Sequence, residues 1–126
     1  MTITYSIDHD QGYMVAIASG PIGWEEVRTH LLAAHLEGGL RYRELIDFRA
    51  ARPIWSSAQA REIAALFTTL GQESALGPTA VVVSSDFAFG MLRMLENMLD
   101  GVCIVKPFRD YGDAKQWLRD PRETVT

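Results

Sequence analysis

The chain is predicted to fold as an α/β domain on a single mixed β-sheet of about five strands with four helices, in the order β-β-α-β-α-β-α-β-α. Three observations predict it. Two β-rich segments, Thr2 to Ile7 and Tyr13 to Ala18, flank the turn residues Asp8-His-Asp-Gln-Gly12 and read as a hairpin. Strand-like and helix-like periods then alternate to the end, which calls for later strands that are parallel and joined by right-handed crossovers. The runs Ala80–Val83 and Val102–Val105 are continuously apolar, as in strands covered on both faces.

The elements follow in order. Gly20-Pro21 is expected to stop the second strand. From Gly23 or Trp24, the residues Trp24, Val27, Leu31, Ala34 and His35 recur at helical spacing. Glu25 and Glu26 suit the positive end of that helix, and Gly38-Gly39 ends it. Tyr42 to Phe48 forms the third strand, and Arg49 to Trp55 is expected to be a loop broken by Pro53.

Ser56-Ser-Ala-Gln59 has the form of a capping box for a helix with Ile63, Leu66, Phe67 and Leu70 on one face, ending at Gly71. Thr79 to Ser84 is the fourth strand. Asp86 is read as the N-cap of a helix over Phe87–Asp100, stopped by Gly101. Val102 to Lys106 is the fifth strand, and Asp110 caps a last helix holding Ala114, Trp117 and Leu118. One domain over residues 1–120 is expected, with 121–126 as a tail.

Composition narrows the function classes. With 126 residues, 48% of them hydrophobic and 22% charged, the chain has the makeup of one folded core. A net charge of −4 argues against a nucleic-acid partner. Arg41, Arg43, Arg49 and Arg52 cluster, and they read as a solvated strand edge or as partners of nearby acids. The N-terminus shows no signal-peptide pattern and no apolar run is long enough to span a bilayer, so a cytoplasmic location is expected. The single Cys103 reads as a small apolar packing residue.

Catalytic and metal motifs do not emerge. His30 and His35, five apart on one helix, diverge by about 140°. There is no His-Glu-x-x-His, Gly-x-Ser-x-Gly, P-loop or Gly-x-Gly-x-x-Gly pattern. Asp47, Asp86 and Asp110 end or follow strands at the edge where α/β folds bind ligands, yet each is accounted for by capping or by pairing with Arg49. No catalytic residue, cofactor or metal is assigned.

The helix over 87–100 is the distinctive feature. Arg93, Glu96, Asn97 and Asp100 share one narrow stripe, and Phe87, Phe89, Met91, Leu92, Met94, Leu95, Met98 and Leu99 fill the rest. Leaving several such side chains in water would cost about 1.5–3 kcal/mol each. Three covers are open: the core alone, a second copy of the chain, or an apolar ligand.

The hairpin, Gly20, Leu45-Ile-Asp-Phe-Arg49, Phe89-Gly-Met-Leu-Arg-Met-Leu-Glu96 and Phe108-Arg-Asp-Tyr-Gly-Asp-Ala-Lys-Gln-Trp-Leu118 occur in an order that resembles the STAS-domain superfamily, in its SpoIIAA-like (STAS/lipid-transfer-like) branch. The resemblance implies a non-enzymatic regulatory or protein-interaction module. The contact surface expected from it and from the crowded helix is Phe89, Met91, Met94, Leu95, Met98 and Phe67, meeting a regulatory partner or a second copy in a homodimer. The alternative it implies is a small carrier of an apolar molecule or lipid, with a pocket between the Ser57–Leu70 and Phe87–Asp100 helices. Better-known relatives carry a phosphorylated serine just after the third strand. Ser56 and Ser57 stand in that region, but the family's Asp-x-Ser-Gly pattern is missing.

Overall fold

Residues 2–120 are described by a computed structural model, and the expected tail over 121–126 lies outside them. The opening hairpin forms because Ile3, Tyr5 and Ile7 of β1 (Thr2–Asp8) alternate in step with Ala18, Ala16 and Met14 of β2 (Tyr13–Ile22). In the turn, Asp8 Oδ1 accepts hydrogen bonds from the backbone N–H groups of Asp10 and Gln11, and Gly12 takes φ +64°. β3 (Arg43–Pro53), β4 (Thr79–Val82) and β5 (Val105–Phe108) add in parallel, giving one sheet in the order β1-β2-β3-β4-β5.

Strands laid down in sequence with crossovers of one hand place their helices on one face. That face carries α1 (Trp24–Leu36), α2 (Ser57–Glu73) and α3 (Asp86–Met98). The other face packs Leu45, Ala80 and Val82 against Ala114, Trp117 and Leu118 of α4 (Tyr111–Arg119).

Several boundaries differ from the sequence reading. Gly20-Pro21 does not stop β2, nor is 49–55 a loop: the two strands stay paired through Gly20↔Ala51, Pro21↔Arg52 and Ile22↔Pro53. Both prolines are tolerated because, among the described residues, β2 pairs with β1 only as far as Ser19 and β3 with β4 only as far as Asp47, so each strand is an edge there. A bulge, with Phe48 and Arg49 opposite Ala18, precedes this extension.

Ser85, not Asp86, caps α3: its Oγ accepts from the Ala88 N–H at 3.1 Å, while Asp86 stands in the first turn. α3 ends at Met98 rather than Asp100, and β4 at Val82 rather than Ser84. β5 starts three residues late because the N–H groups of Val102 and Cys103 both bond back to the Leu99 carbonyl. α2 runs through Gly71 to Glu73. Its capping box forms as expected, with Ser56 Oγ accepting from Gln59 N–H at 3.1 Å and Gln59 Oε1 accepting from Ser56 N–H at 2.9 Å.

One packing detail positions the candidate site. α2 lies beside α1 and α3, and its inward side chains Ala60, Ile63 and Phe67 join Phe48 and Val81 of the sheet in one core cluster.

Candidate ligand cavity

This cluster is incompletely filled. A cavity with about 60 Å³ of free volume lies between the sheet and the three helices. Ile46, Phe48, Val81 and Val105 form its floor, Val27 and Leu31 come from α1, Ile63 and Phe67 from α2, and Leu92 and Leu95 from α3. Ile3, Val27, Ile46 and Phe67 keep partial solvent contact, although Ile46 stands on the middle strand beneath the helices.

Four polar side chains, His30, Glu44, Trp55 and Thr79, interrupt this apolar wall. His30 of α1 and Glu44 of β3 are both buried, and His30 Nε2 lies 2.7 Å from Glu44 Oε2. The Tyr5 ring stands edge-on to His30 at 5.2 Å between centroids. Trp55, in the connection between β3 and α2, packs edge-on to Phe48. His30 Nδ1 and Trp55 Nε1 are buried with no hydrogen-bond partner in the protein. Both residues are only 5% exposed, and both line this cavity. Buried polar atoms are normally paired, so two orphans in one wall are unusual.

The residues expected to make a contact surface divide between two places. Phe67 and Leu95 line the cavity, and Leu95 is buried. Met91, Met94 and Met98 are half-buried on the flank of α3 and pack against the same core cluster. Phe89 is half-buried with the Arg109 guanidinium 4.5 Å over its ring. Ser56 and Ser57 are exposed at the start of α2, where Ser56 serves as the cap.

His30, Glu44 and Trp55 were missed as site residues. The available signal was positional: His30 falls on the stripe of Val27, Leu31 and Ala34, and Glu44 is two residues before Ile46 on the same strand face.

Of the carboxylates at the far edge of the sheet, Asp47 and Asp110 are engaged as the sequence suggests, and Asp86 pairs with an arginine instead of capping. Asp47 accepts two hydrogen bonds from the Arg49 guanidinium, at 2.9 and 2.8 Å, and these hold its carboxyl below the ordinary range. That contribution to stability is present above the ordinary carboxyl pKa and lost as pH falls through the lowered one. The same guanidinium lies 4.9 Å over the Tyr111 ring. Asp86 pairs with Arg109 at 2.5 Å, and Asp110 caps α4. Two more of the clustered arginines have partners: Arg41 lies over Tyr42, and Arg43 lies over Tyr13 and donates to the carbonyls of Gln11 and Leu118. Cys103 is half-buried, and burial pushes its thiol up to about 11, so thiolate is scarce at neutral pH.

Among the described residues, no three His, Cys, Asp or Glu side chains are placed to hold a metal ion, and no helix is long and apolar enough to cross a membrane.

No protein-family model matches the chain, and no curated protein sequence does. Solved structures match over nearly its whole length. An uncharacterized protein from the DUF3478 family with a SpoIIAA-like fold, from Shewanella loihica PV-4, is 21% identical with a TM-score of 0.60, over 93% of this chain and 94% of that one. The anti-sigma factor antagonist SpoIIAA in its unphosphorylated form is 11% identical with a TM-score of 0.54, over 94% of this chain and 99% of that one. The element order, the single mixed sheet and these two likenesses together give this chain the SpoIIAA-like fold.

Proposed function

We propose that this domain works by binding rather than by catalysis, and that it holds a small apolar molecule between the sheet and α1–α3. The observation that carries this reading is the partly open apolar cavity under α2. A space of about 60 Å³ exceeds what one water needs, roughly 10–15 Å³ on the same kind of measure. It is also smaller than the roughly 150 Å³ apolar cavity known to take benzene, so a larger ligand requires α2 to lift further.

Native mass spectrometry of the freshly purified protein tests it, followed by titration with N-phenyl-1-naphthylamine, a neutral apolar fluorophore. A co-purified apolar species or saturable one-to-one uptake is the expected result. A ligand-free spectrum together with no uptake would sink the reading.

A second reading, contact with a regulatory protein or a second copy through α3, is favoured by a separate observation. Phe87, Met91, Met94 and Met98 are spaced four, three and four apart, which places them along one line of the helix. Phe87 is 62% exposed and the methionines are half-buried. On this reading, Met94→Asp lowers the particle mass in light scattering while the melting temperature holds. An unchanged mass contradicts it.

A further inference from the structure

One edge of the sheet carries none of the usual guards. β1 pairs with β2 on one side and, among the described residues, has no strand on the other, so every second residue turns its N–H and C=O away from the sheet. Proteins ordinarily protect such an edge with a lysine, a proline, a bulge or a very short strand. β1 has seven residues in unbroken register with β2, no proline, and no charged side chain before Asp8.

Beside that edge runs a groove of about 300 Å³, with Ile3 and Tyr5 on one wall and Glu25, Glu26, Thr29 and Ala33 of α1 on the other. Glu25, Thr29, Ala33 and Glu37 recur at four-residue spacing, so they follow one side of the helix. The two small side chains in the middle leave room, and glutamates stand at the ends. Glu37 accepts the Tyr5 hydroxyl, and Glu26 accepts the Gly23 N–H at 2.6 Å. Both donors are neutral. Among the described residues, no ion pair involves Glu25, Glu26 or Glu37, and no lysine or arginine lines the groove.

From this juxtaposition we infer that β1 and α1 form a docking site for an extended, basic segment of a partner protein. The segment adds to the five-stranded sheet beyond β1 through main-chain hydrogen bonds and brings a lysine or arginine to each end of the groove. Spacing supports the match. Glu25 and Glu37 stand about 18 Å apart along the helix, and same-face strand residues six positions apart span about 20 Å. A second copy fits less well. Antiparallel β1–β1 pairing about a two-fold axis sets both α1 helices on one face of the joined sheet, glutamates toward glutamates.

The test titrates three capped heptapeptides into 15N-labelled protein at low salt, followed by NMR: Lys-Thr-Val-Thr-Val-Thr-Lys, and the same sequence with both lysines replaced by glutamine or by glutamate. The lysine peptide is expected to bind about fivefold or more tightly than the glutamine peptide, shifting the amides of Thr2–Asp8, and the glutamate peptide more weakly still. High salt, or the folded double variant Glu25→Gln with Glu37→Gln, should shrink the lysine preference toward unity. N-methylation of one alternating set of peptide amides should abolish binding. Tolerance of methylation on both sets, equal binding of the three peptides, or no shift with millimolar lysine peptide overturns the inference. So does a dimer of the protein alone in light scattering with its β1 amides protected from hydrogen exchange, which would give the edge to a second copy.

Discussion

Replacing Glu44 with alanine is expected to cost about 3 kcal/mol of folding stability, read as a lower urea midpoint at unchanged slope. Glu44 is 3% exposed and makes the one side-chain hydrogen bond found for His30. Removing the carboxyl leaves the imidazole with both nitrogens unpaired in an apolar wall, and an orphaned buried polar group is penalised far beyond the modest value of the bond itself. Glu44→Gln keeps an acceptor oxygen at that position and should cost only about 1 kcal/mol. The double replacement His30→Leu with Glu44→Leu should cost less than either broken pair, because it removes the polar atoms together. An alanine variant within about 0.5 kcal/mol of wild type would show that the pair is not buried as described.

Gly77→Ala should be at least as damaging, at about 3 kcal/mol or more by the same measurement. The reason is space, since the backbone there is not in the left-handed region. A Cβ at Gly77 would lie 2.1 Å from the Tyr42 carbonyl oxygen and 2.7 Å from that of Arg41. These are backbone atoms that cannot rotate away. Gly77 N–H also bonds to the Leu40 carbonyl at 2.8 Å, and the next carbonyl, Pro78, accepts from Glu44 N–H at 2.9 Å. Pushing this segment off therefore unlatches the entry of β4 beside β3 and disturbs Glu44 as well. Gly71→Ala is the control: its Cβ would meet side-chain atoms, Leu76 at 3.2 Å and Val102 at 4.0 Å, and its stability should stay within about 1 kcal/mol of wild type. A Gly77→Ala variant as stable as that control would contradict the packing described.

The element order, the parallel sheet and the caps at Ser56 and Asp110 were legible because each is written in local chemistry: period, turn residues, and side chains that satisfy first-turn amides. The strand ends were less so. Whether Pro21 and Pro53 end a strand depends on which neighbours are still present, and β1 and β4 supply that answer only in three dimensions. The same limit applies to the candidate site. His30 looks like one more residue of an amphipathic helix until β3 brings Glu44 to it, fourteen positions later. Trp55 reads as a loop residue until its ring is found against Phe48. The hydrophobic excess of α3 was visible, but its division between cavity and flank depends on which of its side chains meet α2 and the sheet once all are packed together. No periodicity encodes that division.

The central claim is that apolar molecules enter beneath α2 rather than dock on the outside of α3. Intermolecular NOEs from bound N-phenyl-1-naphthylamine to assigned side-chain methyls test it most directly. The account predicts contacts to the methyls of Ile46, Ile63 and Leu92, which only the cavity brings together. Contacts confined to the methyls of Met91, Met94 and Met98 on the α3 flank would contradict it.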